Sequence, residues 1–192
     1  VSLCREILPS RGYNALQQAQ VLAPMHRGVA GIHNLNNVLQ EAFKPASRSS
    51  QVAGTQYRAG DKVIQLRNNY DKNLFNGDVG FIKGTDTSSG LILAEFSGET
   101  KEFEKGELSD LSLAYAISIH KSQGSEYPVV ILPLMKQHFI MLQRNLAYTG
   151  VTRGKKEVYI VGEPEAYAMA VRNVKSNVRQ TNLQEKIGAA NP

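Results

Sequence analysis

Between His120 and Glu126 the chain places an imidazole, an ammonium, two hydroxyls, an amide, a glycine and a carboxylate in seven positions, "HKSQGSE". Lys121 and Ser122 read as a helix start carrying phosphate-binding donors, and Gly124 as a point where backbone comes close to a ligand. His120 reads equally well as a capping or core histidine, and Glu126 as a first-turn acid stabilised by a helix dipole. A second polar cluster is Met25-His26-Arg27-Gly28, and a third is "TRGKK", residues 152–156. Arg153 in the third could bind phosphate oxygens bidentately or end a helix as a dipole partner with Gly154 as the stop. The residues alone leave both open. No metal set is present in the sequence: its four histidines lie far apart and its one cysteine, Cys4, has no spaced partner. Nor is there a G-x-x-x-x-G-K-[ST] phosphate loop.

The elements around these clusters alternate in type. Residues 2–8 and 14–19 read as helix, "QVLAP" (20–24) as a strand stopped by Pro24, and 31–43 as an amphipathic helix with Ile32, Leu35, Val38, Leu39 and Phe43 at helical spacing. Residues 44–61, rich in Ser, Gly and Ala, read as a linker. Short alternating runs follow, "KVIQLRN", "VGFIKG", "LILAEF" and "KEFEKG", with a turn at Asn76-Gly77, as in a small barrel. "LSLAYAISI" (111–119) and "VVILPL" (129–134) are near-continuous apolar runs, expected of parallel strands buried on both faces. Residues 139–152 read as a helix, "EVYIVG" as a strand, and "EPEAYAMAVRN" as a helix entered through Pro164. The expected fold is α/β, with residues 1–50 and 111–192 forming one discontinuous unit and 51–110 an inserted β unit. Ligands collect at the carboxyl ends of such strands, and the two flanks are expected to bring the His120 loop and Arg153 to one rim.

Hydrophobic content of 42% with 20% charged residues belongs to a globular chain rather than a disordered one. The apolar runs are too short to span a bilayer, so no membrane partner is expected. A lone cysteine fits a reducing cytoplasm. The net charge of +5 and pI near 9.3 favour a polyanionic partner.

Four stretches in order, "QVLAPMHRGVAGIHNLNNVLQ" (20–40), "YRAGDKVIQLRNNYDKNLFNGDVGFI" (57–82), "AYAISIHKSQGSEYPVVILPL" (114–134) and "LAYTGVTRGKKEVYIVGE" (146–163), resemble the C-terminal motor domain of superfamily 1 DNA helicases of the RecD-like type, which includes the exodeoxyribonuclease V alpha chain. The resemblance implies a RecA-like parallel-sheet domain, of P-loop NTPase type but lacking its own phosphate loop, with an inserted SH3-like barrel. It implies the C-terminal piece of a larger ATP-dependent helicase for DNA repair and recombination, moving 5′ to 3′ on single-stranded DNA and inactive by itself. ATP and Mg2+ are the implied cofactors, the Mg2+ ligands belonging to an N-terminal RecA-like partner domain; other nuclease or helicase subunits are implied partners. It assigns Arg153 to the γ-phosphate as a catalytic finger, supported by Tyr148 and Thr149, and Gln123, Gly124 and Glu126 to the nucleotide. To DNA it assigns Met25, His26, Arg27, Ser118, His120, Lys121 and Ser122, with Arg67, Asn68 and Tyr70 from the barrel. "NNYDKNLFNGD" reads equally as a long turn held by asparagines. Two other readings remain: a non-catalytic DNA-binding module, and the helicase part of a conjugative relaxase.

Overall fold

Ala19–Ala23 (β1) is buried at every position and lies inside a four-stranded sheet in the order β7-β1-β8-β9, completed by Ala116–Ser118 (β7), Tyr127–Leu134 (β8) and Gly154–Gly162 (β9). All its pairings are parallel. The computed structural model describes residues 1–44, 57–85, 89 and 91–174. Alternate side chains of the inner strands serve two cores. Val21, Val129 and Ile131 pack with Leu39 of helix α3 (Ile32–Phe43), while Leu22, Val130 and Leu132 pack with Leu146 of helix α4 (Arg144–Val151). That two-sided burial is why these strands are apolar throughout rather than alternating. Each fully buried Leu or Val of this kind contributes about 1.5–3 kcal/mol.

At the start, a π-helical turn Leu3–Ile7 runs into α1 (Leu8–Ser10), and Asn14 caps α2 (Ala15–Gln18) by accepting from the Leu16 and Gln17 amides at 3.1 and 3.3 Å. Helix α5 (Pro164–Arg172) enters through Pro164 as expected. The expected helix over 139–152 is shorter: a 3-10 turn, Lys136–Met141, precedes α4.

The middle of the chain forms a separate antiparallel sheet in the order β5-β4-β3-β2-β6. Its strands are Lys62–Gln65 (β2), Val79–Thr85 (β3), Ile92–Phe96 (β4), Glu99–Phe103 (β5) and Leu111–Leu113 (β6). The run 111–119 is therefore not one parallel strand. Leu111–Leu113 pairs antiparallel with β2, the chain turns at Ala114-Tyr115, and Ala116–Ser118 pairs parallel with β1. Two buried amides hold the crossing. Asn36 donates to Leu113 O and Ala116 O at 3.1 and 3.0 Å and accepts from Ala116 N at 2.8 Å, and Gln20 donates to Ala114 O and Tyr115 O at 3.0 and 3.2 Å. Backbone groups that leave a ladder in the interior must find such partners.

The expected linker also needs correction where it is described; residues 45–56 of it lie outside the described residues. Tyr57, Arg58 and Asp61 are buried. The Asp61 carboxylate accepts from Gln40 (2.6 Å), the Arg58 amide (2.7 Å) and the Tyr115 hydroxyl (2.7 Å), tying α3, the antiparallel sheet and the crossing together.

Candidate functional site

Strand register decides how the polar clusters are grouped. Ser118 pairs with Ala23 at the carboxyl ends of β7 and β1, whereas Tyr127 pairs with Gly154 at the amino ends of β8 and β9. The 119–126 loop thus runs from one end of the sheet to the other. Its first end joins the end of β1, Ile119 N donating to Ala23 O at 3.3 Å, and its Glu126 end meets Arg153, whose carbonyl accepts from Tyr127 N at 2.8 Å. The expectation of one shared rim for His120 and Arg153 is overturned: a parallel crossover must return to the opposite end of the sheet, and this loop makes that return without a helix.

At the carboxyl end, the Met25 and His26 carbonyls accept from Ile32 N (3.0 Å) and His33 N (3.2 Å), folding the turn onto the start of α3. A Cβ at Gly31 would lie 2.3 Å from Arg27 O, so only glycine permits this fold. Met25 is half-buried, and His26 and Arg27 are exposed. Arg27 has no ion pair among the described residues. His120 is exposed at the same end of the sheet, on a 3-10 turn, His120–Ser122. Ser118 Oγ accepts from Lys121 N at 3.1 Å, and Ser122 Oγ donates to Ile119 O at 2.7 Å. Ser122 is fully buried, which leaves no surface for a strand of nucleic acid to touch; its hydroxyl shapes the turn. Partial burial pushes the Lys121 pKa down, and its Nζ donates to Asn76 Oδ1 of the insert at 3.3 Å.

That bond brings the insert's 67–77 loop to the same end. Asn68 accepts from Asn76 N at 2.9 Å and donates to Tyr70 OH at 3.3 Å, so the asparagine-held turn is real. Tyr70 nevertheless stands 77% exposed, edge-on to Phe75 with ring centroids 6.3 Å apart. Arg67 lies 3.6 Å from Asp110 and is otherwise open to solvent. Phe75, half-exposed, was missed by the sequence reading because one aromatic in an Asn-rich loop carries no period.

At the amino end, the Arg153 guanidinium donates from Nε to Thr149 O (3.2 Å), from Nη1 to Ser125 O (3.3 Å) and from Nη2 to Thr152 Oγ1 (3.2 Å). The bond to Thr149 closes the last turn of α4, so the helix-ending role is present. All three acceptors are neutral, and among the described residues no carboxylate bonds to the guanidinium. Gln123 is exposed and Gly124 adopts φ +84°, with open space where a Cβ would stand. Gly124 therefore serves the left-handed turn; no group crowds it. Glu126 does not sit on a helix start. Its carboxylate pairs with Lys155 Nζ at 2.9 Å, and that hydrogen bond and charge, with Arg153 adding, hold its pKa below the ordinary glutamate range. Lys155 was missed because an ion pair across two parallel strands has no signature in local spacing. Tyr148 is exposed, and Thr149 Oγ1 donates back to Asn145 O at 2.8 Å.

Among the described residues, no group of three or more His, Cys, Asp or Glu could hold a metal ion, and no helix is long and apolar enough to cross a membrane.

Residues 35–96 match the family described as the ATP-dependent RecD-like DNA helicase SH3 domain, and residues 113–161 match the UvrD-like helicase C-terminal domain. The chain is 35% identical over 170 residues to the ATP-dependent RecD2 DNA helicase of Deinococcus radiodurans, an alignment covering 88% of this chain and 23% of that protein. It is 31% identical to the RecBCD enzyme subunit RecD of Mycolicibacterium smegmatis, covering 91% of this chain and 30% of that one. The chain thus spans about a quarter of the length of these curated relatives. Its fold is similar to a solved structure of Pif1 helicase from Bacteroides in complex with ADP-AlF3 and ssDNA, with a TM-score of 0.56 and 15% identity, covering 89% of this chain and 46% of that one.

Proposed function

We propose, from the premise that this chain carries the C-terminal region of the RecD-like superfamily 1 DNA helicases with its SH3-like insert, that it is the second motor domain of an ATP-dependent helicase acting in DNA repair and recombination. Its partner is an N-terminal RecA-like domain of the same enzyme, with other nuclease or helicase subunits as further partners and the cytoplasm as its place of work. The observation that carries the reading is a guanidinium whose acceptors among the described residues are all neutral, tied to a loop whose far end lies at the opposite end of the sheet, the end that carries the exposed Arg27.

ATP, when bound, supplies the γ-phosphoryl group whose transfer to water drives the cycle. A guanidinium with no carboxylate partner among the described residues, tied to the loop that carries the exposed Gln123, fits a polyphosphate. Arg153 would stabilise the charge developing on the transferred group. Gln123 and the Gly124 turn would line the nucleotide, and Glu126 would accept from the ribose. Mg2+ would be held by the N-terminal domain, since the described residues offer no ligand set for it. Arg27, His26, His120 and Lys121 would contact phosphates of single-stranded DNA along the carboxyl ends of β1 and β7, with Met25 against the strand. Ser118 and Ser122 would set the turn that presents them. Arg67, Asn68 and Tyr70 would extend this track onto the insert, Tyr70 by stacking on a base. Closure of the N-terminal domain on Arg153 would pull one end of the 119–126 loop and shift the DNA contacts at its other end, stepping 5′ to 3′.

The test is Arg153→Ala in the complete enzyme that carries this region. DNA-stimulated ATP hydrolysis should fall by about three orders of magnitude or more, the range measured for such fingers, with single-strand affinity unchanged within a few-fold. Unchanged turnover would remove Arg153 from the nucleotide. The 192-residue chain alone should hydrolyse no ATP.

A further inference from the structure

We propose that Lys155 is a positioning residue that holds the Glu126 carboxylate away from Arg153 and so keeps the guanidinium open to an anion; this rests on Arg153 facing the nucleotide.

Three facts carry it. Glu126 adjoins Ser125, whose carbonyl accepts from Arg153 Nη1 at 3.3 Å, so the carboxylate starts one residue from the guanidinium. Between the two cations, a carboxylate has more to gain from the planar guanidinium, which can offer two parallel N–H donors where an ammonium is a point charge. Yet its Oε2 lies 2.9 Å from Lys155 Nζ. Lys155 stands two residues beyond Arg153 at the start of β9, and the parallel register Tyr127↔Gly154 sets it against the segment that carries Glu126. The pair is more than half exposed, with side-chain exposures of 58% and 55%, and such surface pairs stabilise a fold little. Its consequence is where the negative charge goes. Without Lys155 the carboxylate would pair with Arg153 and neutralise the group meant for phosphate.

Two measurements test this. In the 192-residue chain, the Glu126 carboxyl is titrated by carbon-13 NMR. In Lys155→Ala it should stay below the ordinary range, because Arg153 takes it over, and in Lys155→Ala/Arg153→Ala it should return to the ordinary glutamate range. A return to the ordinary value in Lys155→Ala alone would overturn the proposal. In the complete enzyme, Lys155→Ala should lower kcat/KM for DNA-stimulated ATP hydrolysis about tenfold, but less than about twofold in a Glu126→Gln background, where the rival charge is gone. Equal losses in both backgrounds would overturn the proposal and make Lys155 a direct contact. Intact turnover in Arg153→Ala sinks the nucleotide reading itself, whereas loss there with equal Lys155 penalties sinks this proposal alone.

Discussion

Lys62 is a buried ammonium on β2 whose Nζ donates to Ala19 O of β1 at 3.2 Å, and burial pushes its pKa down to about 8 from 10.5. The gap between those two values corresponds to about 3 kcal/mol. Its sign follows from proton binding. Between pH 8 and 10.5 the unfolded chain keeps the proton that the folded chain gives up, so stability rises with pH across that window. Below pH 8 the penalty for burying the charge is present in full; above 10.5 it is gone. Lys62→Met keeps the length of the side chain and removes the charge. The lost bond to Ala19 O offsets about 1 kcal/mol of the gain, so the variant should be more stable at pH 7 by about 2 kcal/mol. The other titratable groups on the small cavity that Lys62 lines are Cys4 and Tyr115, both pushed up by burial, so neither ionises at pH 7. Urea unfolding of both proteins at pH 7 and pH 10 gives the difference directly. A variant less stable at pH 7, or an advantage of equal size at both pH values, would refute the account.

Asn36→Leu should strip the buried Leu113 O, Ala116 O and Ala116 N of their side-chain partner. At about 1–3 kcal/mol per orphaned group and about 2–4 °C per kcal/mol, calorimetry should find Tm lowered by about 6 °C or more; a change below about 2 °C would mean the crossing is held by something else. Arg27→Ala in the complete enzyme should weaken single-strand binding and reduce the steepness of its salt dependence by about one phosphate contact. An identical binding isotherm at each salt concentration removes Arg27 from the DNA track.

Periodicity made most of the fold legible. The apolar runs of β1 and β8 signalled strands buried on two faces, the spacing of Ile32, Leu35, Leu39 and Phe43 signalled α3, and Pro164 marked the start of α5. What failed was any question of which partner a run would choose. Leu111–Ser118 is near-continuously apolar, and that pattern suits either sheet; the amides of Asn36 and Gln20, about ninety residues away in the case of Gln20, determine where it divides. Tyr57, Arg58 and Asp61 looked like linker because a polar, aperiodic stretch gives no sign that two distant side chains and a backbone amide will close over its carboxylate.

The candidate site divides in the same way. From residue types alone came the three clusters, an Arg153 open to phosphate binding or to a helix-ending role, and the basic Met25–Gly28 turn, because chemistry is a property of the side chain itself. Pairing register assigned them to opposite ends of one sheet, burial withdrew Ser122 from contact, and a cross-strand ion pair introduced Lys155 beside Glu126. Those outcomes depend on groups distant in sequence competing for the same space and the same charge, and that competition exists only once the chain has closed.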